Sequence, residues 1–521
     1  MYPQAALAPV RRLAVPAVTL VPLVLALWLC LAALATPFDH DESQYVAGAY
    51  FSSRLLIFRD FLYLQPPLHS WTFAPLAWLF PGHIVIAMRL ATAVTAICAL
   101  AALWTTQRAA AISRESATVS TLLVAATAAF QFCGSVVRND MLPTLLVSMA
   151  MLVLILALRH CRPRFWFAAG LLFGLAISTK LNFAPLAAAA GLYVLTSGGR
   201  CGIRAAAWLA AGGIAGLLPM LGIWLLAPDS FFYGVLTFAS TGPFAWYSAN
   251  GQGDELTLAG KAGDMLKALA SGPALVALLL LTVNWITNRA QVRSPGRRLA
   301  VWMVVGGLFG AALPTPTQLQ YVMPLLPPLG LALGYMLDDA RHWTRARRET
   351  AIGLLCLMAL AGLWPTSHAI AAMAREGSPV WSSTQAAYWA ARKVRALTGD
   401  DEIITLAPHR IIDGGLALDP RLATGPFAYR SGWTISPAEA RAIKALTPAT
   451  LTDLDRAPPE AILVGYENGT RNLPLRPDDS LIAYARRNAY RMIRMPDGIG
   501  RLYVKVRTAT RELGRPRRMA R

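Results

Sequence analysis

The sequence predicts an all-α polytopic membrane protein of about eleven transmembrane helices, followed by a small soluble α/β domain. Three observations predict it. Apolar residues make up 55% of the chain and charged residues 15%, with a mean hydropathy of +0.45, more hydrocarbon than a soluble domain needs. The apolar residues fall in blocks suited to a hydrocarbon layer of about 30 Å, which takes roughly 20 residues of helix to cross. After Trp364 charged residues and prolines become frequent, and no further block of that length occurs.

Taken in order, spans are predicted near residues 14–35, 84–104, 117–132, 142–158, 165–178, 181–195, 205–226, 273–286, 300–313, 321–337 and 351–364. The first reads as an anchor, because it is long, lacks a small-residue cleavage site and is followed by more spans. The pair around Thr179 and Lys180 is shorter than a lone span requires. Loops at 11–12, 108–114, 159–164, 200–204, 289–298 and 341–348 are rich in arginine. They alternate with loops at 39–82, 133–140, 229–267 and 314–320, which hold most of the membrane region's carboxylates. Lys and Arg near span ends are retained on the cytoplasmic side. The carboxylate-bearing set, including the long loops 37–83 and 228–270, is therefore expected on the outer, periplasmic side of a bacterial inner membrane. With an odd number of spans the tail is expected there too. The expected domains are 1–366 and 367–521. The net charge of +20 follows from this topology and from contact with anionic membrane lipids, so nucleic acid is not an expected partner.

Six cysteines without CxxC or CxxH spacing argue against a disulfide framework or a cysteine-based zinc site. In the tail, strand-like runs occur at 402–406, 461–465 and 501–506, and helix-like stretches at 383–397, 437–445 and 480–488.

Chemistry is concentrated in the outer loops. Directly after the first span the chain reads Phe38-Asp39-His40-Asp41-Glu42-Ser43-Gln44-Tyr45, with three carboxylates in four residues. One reading is a solvated loop in which Asp41 caps an interfacial amphipathic helix over 45–56. The other makes a carboxylate just above the hydrocarbon a general base that deprotonates an acceptor hydroxyl. Arg138-Asn139-Asp140 begins a later span; the charges either pair with each other or hold a phosphate and a sugar hydroxyl or metal. Lys180 either snorkels to the interface or binds phosphate as a point charge. Gln65-Pro66-Pro67-Leu68-His69 forces an extended turn. The run from Gln318 through Tyr321 to Pro328 suggests a proline-broken groove wall, with interfacial anchoring by Tyr321 as the plainer role. Asp39-x-Asp41 has divalent-cation spacing, so a metal ion at Asp39 and Asp41 is allowed, with no cofactor required. His40 and His69 lack HxxxH or HxH spacing.

In order and common side, Asp41-Glu42-x-x-Tyr45, Pro66-Pro67-Leu68, Arg138-x-Asp140, Thr179-Lys180 and Tyr321-x-x-Pro324-x-x-Pro327 resemble the GT-C class of membrane glycosyltransferases. The closer resemblance is to bacterial relatives of protein O-mannosyltransferases and of the lipid A aminoarabinose transferase, over about residues 13–337. The resemblance implies a polyprenyl-phosphate sugar as donor and inverting transfer to a hydroxyl of a lipid, glycan or protein acceptor. It implies Asp41 as catalytic base and Asp140 at the donor site; from their own chemistry Glu42 and Tyr45 are expected to shape the site and Arg138 and Lys180 to stabilise the phosphate. Gln65 stands where relatives commonly carry Lys, and Gln318 and Gln320 lie where His or Lys is often found. The cationic pocket then leans on Arg138 and Lys180, or on Arg54 and Arg59. The rival class is a transporter or flippase of lipid-linked sugars without catalytic activity. It would place ionisable residues near mid-membrane and often show internal repeats; here the charges collect at one face and no repeat is seen. A scaffold displaying the tail domain would leave the outer carboxylates unexplained.

Overall fold

The computed structural model describes residues 14–196, 202–287, 294–467 and 474–505. Each of the eleven predicted spans falls on a helix or a pair of consecutive helices. Four helices, Ile84–Ala109, Met141–His160, Gly202–Leu226 and Arg345–Glu376, are each long and apolar enough to cross a bilayer. Two bent pairs, Arg114–Ala125 with Ala128–Ser135 and Leu258–Ala270 with Ala274–Thr287, reach that length together, at bends of 69° and 93°. The chain is a multi-pass membrane protein.

Three elements differ from expectation. The predicted span 117–132 breaks at Thr127, whose hydroxyl accepts a hydrogen bond from the Phe130 amide and so starts a second helix. The long loop after residue 228 is not open chain but a string of helices, including Phe238–Ala249 and Leu258–Ala270. The helix expected over 45–56 runs Glu42–Ser52 and is buried along most of its length instead of lying at an interface. Asp41 stands at its N-cap position without a side-chain capping bond, because its carboxylate is engaged elsewhere.

Helices Pro163–Ile177 and Gly202–Leu226 pack with backbones in near contact. Gly170 and Gly174 on one face Gly212 and Gly216 on the other, and a Cβ at any of the four would collide with backbone across the contact. Both are GxxxG patterns, which let apolar helices approach where lipid supplies no hydrophobic drive. Gly212→Val is expected to cost about 1–3 kcal/mol or more through overpacking. Fluorescence-detected size-exclusion chromatography should show loss of the monodisperse peak; an unchanged profile would refute the close approach.

Among the described residues, arginines of the arginine-rich loops pair at one end of the bundle: Arg297 with Asp339 at 2.7 Å and Arg341 with Glu115 at 3.1 Å. The carboxylate loops meet at the other end. There the tail folds into a five-stranded mixed sheet of β1 (Glu402–Thr405), β2 (Ala417–Leu418), β3 (Ala461–Val464), β4 (Arg491–Arg494) and β5 (Arg501–Val504), in the order β2-β1-β3-β5-β4. Strands β2, β1 and β3 run parallel, and β5 pairs antiparallel with both β3 and β4. Helix Pro379–Thr398 presents Ala387, Ala390, Ala391 and Val394 to Ile403, Leu463 and Leu502 of the sheet. The predicted strands and helices of the tail are present; β2 and β4, short or exposed, gave no hydrophobic alternation to read.

Buried polar contacts join the tail to the bundle. Asp413 caps the helix Ile84–Ala109 from 329 residues away, accepting from the Ile84 amide at 2.8 Å while its other oxygen accepts from Thr384. Tyr388 donates to the Gly82 carbonyl and Ser378 to that of Leu34, each at 2.7 Å. Cys30, Cys98, Cys133 and Cys356 are free thiols, whereas Cys161 is disulfide-bonded, a cross-link its spacing did not signal.

Candidate active site

The first loop is held from three sides. Below it, the fully buried Arg89 and Glu42 pair through two bonds of 2.5 and 2.8 Å. Arg89 also donates to the carbonyls of Ala33, Thr36 and Pro37, and Glu42 accepts from the amides of Asp39 and Val137. Above it, the Phe38 ring lies between the guanidinium groups of Arg89 at 4.6 Å and Arg410 at 4.1 Å. From the tail, Gly425 comes so close to Ser43 that a Cβ there would strike its hydroxyl. This clamp directs Asp39 and Asp41 one way and Glu42 the other.

Asp39 and Asp41 face Arg138, a buried guanidinium at the start of the helix Met141–His160. It binds Asp41 at 2.5 Å, pairs with Asp39 and reaches Asp140 at 3.3 Å. Asp140, fully buried at that helix N-terminus where the macrodipole favours negative charge, accepts from Lys180 at 2.5 Å. Lys180 sits in extended backbone between the helix Pro163–Ile177 and the turn Leu181–Phe183, its ammonium 5.1 Å from the Tyr321 ring centre. The two short predicted spans are the helices Pro163–Ile177 and Ala184–Thr196, and Lys180 lies in the break between them. Against the opposing effect of burial, Arg138 and His40 hold the Asp39 carboxyl well below the usual carboxylate range.

These groups open onto a cavity of about 710 Å³. Asp39, Asp41, Tyr45, Gln65, Arg138, Lys180 and Tyr321 all lie on its wall. Glu42 does not; it is consumed by Arg89 behind the loop. Asp140 reaches the cavity only through Arg138 and Lys180. Arg59 is exposed, paired with Asp60 and not on the wall; from that loop Leu64, Gln65 and Pro66 line the cavity. Gln65 accepts from Asn139 at 3.1 Å. His69 is buried against Phe73 with neither ring nitrogen bonded; burial, aided by Lys180, pushes its pKa down to about 3, leaving a neutral imidazole off the wall. Among the described residues no group of three or more His, Cys, Asp or Glu side chains could hold a metal ion, and Asp39 and Asp41 face Arg138 and His40 instead.

Sequence reasoning missed several wall residues: Gln44, Asn182, Trp246 and, from the tail, Phe427 and Arg430. Asn182, two residues beyond Lys180, was within reach of the motif. The tail residues were not, since nothing local marks them.

His40 bridges Asp39 at 3.5 Å and Asp41 at 3.2 Å. Burial alone would lower its pKa, but the two carboxylates outweigh burial and raise it. A raised histidine pKa contributes stability that is complete below the unfolded value and is lost as pH rises through the folded one. Protonated His40 also competes for the Asp41 carboxylate. Transfer rates should therefore climb as pH rises through that raised pKa, and His40→Gln should flatten this limb in a pH–rate profile. An unchanged limb in the variant would separate His40 from the site.

The fold is the all-α, GT-C-like polytopic bundle that the motif resemblance implied. The particular likeness is to ArnT from Cupriavidus metallidurans. Its structure bound to undecaprenyl phosphate superposes with a TM-score of 0.60 at 14% identity, covering 95% of this chain and 99% of that one. The apo structure of the same protein gives 0.57 at 15% identity, covering 94% and 98%. Residues 64–225 match the dolichyl-phosphate-mannose-protein mannosyltransferase family. That segment holds Gln65, Arg138, Asp140 and Lys180 but not Asp41. No curated protein matches significantly.

Proposed function

We propose that the protein is an inverting glycosyltransferase that moves a sugar from a polyprenyl-phosphate donor to a hydroxyl acceptor at the periplasmic face of a bacterial inner membrane. One observation carries the reading: Asp41 and Lys180, a carboxylate and a cation, lie on the wall of a single cavity at one end of a membrane bundle. Asp41 takes the acceptor proton as its oxygen attacks the anomeric carbon; the bond from that carbon to the phosphate oxygen breaks with inversion, and polyprenyl phosphate leaves. The Lys180 ammonium has three donors, one of which goes to Asp140, so two remain for the phosphate. Arg138, engaged by three carboxylates, is a positioning residue that holds Asp39, Asp41 and Asp140 in register, while Glu42 positions the loop through Arg89. The undecaprenyl phosphate of the solved relative and the dolichyl-phosphate-mannose of the matched family both support a polyprenyl-phosphate donor. Arginine at the opposite end of the bundle supports the periplasmic assignment. The soluble domain, taken as 367–521, then closes the mouth toward a lipid, glycan or protein acceptor.

Incubating purified protein with labelled polyprenyl-phosphate sugar and an envelope extract tests the reaction. Acceptor-dependent release of polyprenyl phosphate is expected. Donor movement across vesicles without release would instead support a transporter.

A further inference from the structure

The helix Pro163–Ile177 stops short of Lys180, and the carbonyls past its end have no helical N–H to meet them. They are met from elsewhere in the chain. The Leu68 amide, after the turn at 66–67, donates to the Ser178 carbonyl at 3.1 Å, and the Asn139 Nδ2 donates to that of Thr179 at 3.3 Å. Lys180 itself is extended, with its ammonium on Asp140 at 2.5 Å. Asn139, fully buried and lying between Arg138 and Asp140 in sequence, thus caps the break at the residue before the cation.

The same nitrogen also donates to the Gln65 Oε1 at 3.1 Å. A side-chain amide nitrogen has two hydrogens, so both are used. The direction of this chain of bonds follows from its fixed end. A backbone carbonyl can only accept, so Asn139 must turn its NH2 toward Thr179. Gln65 must then offer Asn139 its oxygen, which sends its own NH2 the other way. That Nε2 makes no hydrogen bond among the described residues and, unlike the sealed Oδ1 of Asn139, stays open on the cavity wall. Asn139 holds the arrangement although its own oxygen is buried without a partner, an unmet acceptor that calls for a reason. The result is a pair of uncharged N–H donors on the wall that carries the Lys180 ammonium. Such donors bond most strongly to an anionic oxygen.

We infer that Asn139 is a positioning residue for the leaving phosphate: its one amide caps the break that presents Lys180 and aims the Gln65 NH2 to donate to a phosphate oxygen beside that ammonium. The inference rests on the proposed transfer reaction, which supplies the phosphate.

The test is equilibrium binding of bare polyprenyl phosphate to the purified full-length protein, with thermal unfolding in detergent as the measure of folding. Gln65→Met, which keeps the length of the side chain and removes the NH2, should weaken binding about 10-fold, the scale of one hydrogen bond to a charged group. Asn139→Leu should weaken it at least as much. Adding Gln65→Met to Asn139→Leu should then cost less than about 2-fold, because an amide that is no longer aimed contributes little. A merely structural asparagine would leave the full cost of Gln65→Met in place. Gln65→Glu preserves the acceptor that Asn139 needs and puts an anionic oxygen where the NH2 stood. It should fold even if Asn139→Leu does not, and should bind more weakly than Gln65→Met. Binding unchanged by Gln65→Met, additive losses in the double variant, or tighter binding by Gln65→Glu than by Gln65→Met each overturns the inference. Acceptor-dependent release in a protein whose polyprenyl phosphate binding ignores Gln65→Met would leave the transfer reaction standing and remove the inference. The expected binding pattern without any release would do the reverse.

Discussion

Asp41→Asn is expected to lower transfer by about 10²–10⁴-fold, the range that a positioned general base supplies, without loss of the folded protein. The substitution keeps the shape of the side chain and one acceptor oxygen. It removes the charge that must take up the acceptor proton. Folding should survive because Arg138 retains Asp39 and Asp140, and because the loop is held independently by Arg89 and Arg410. Asp39 is the internal control. Arg138 holds its carboxyl well below the usual range although burial pulls the other way, and a weak base makes a poor proton acceptor. Asp39→Asn should therefore cost far less activity than Asp41→Asn. Initial rates of polyprenyl phosphate release, normalised to folded protein, decide between them. Residual turnover in Asp41→Asn within tenfold of wild type would sink the assignment.

Arg89→Met should be the most destabilising single change near the site, at about 3–5 kcal/mol, because it strands the fully buried Glu42 carboxylate without its partner. The double variant Arg89→Met with Glu42→Met should recover much of that loss, since a buried ion pair replaced by apolar groups of similar volume is often neutral. The carbonyls of Ala33, Thr36 and Pro37 lose their donor, so recovery should be partial. Thermal unfolding in detergent measures both effects. The same double variant tests what Glu42 does. If Glu42 only positions the loop, activity should return in proportion to stability; a stable but inactive double variant would restore it to the chemistry.

Asp41, Arg138, Asp140 and Lys180 were legible in the sequence because charge is conspicuous beside hydrocarbon, where it is costly unless paired or used. Adjacency in sequence also placed Glu42 in the same site as Asp41. In the structure a one-residue step at the start of a helix turns neighbouring side chains about 100° apart, and Glu42 points to Arg89 while Asp41 points to the cavity. Arg59 was chosen for its charge and its place in the loop, yet it bonds Asp60 at the surface.

By itself the sequence determined the membrane class, the path of the spans and the set of charged motifs, because hydropathy and local spacing act over a few turns of helix. The tertiary structure alone decided which members of that set share a cavity. It also brought in Asp413 as the cap of a distant helix and Phe427 and Arg430 as parts of the wall. Those outcomes depend on side-chain direction and on contacts between segments hundreds of residues apart, and neither leaves a periodic trace in the chain.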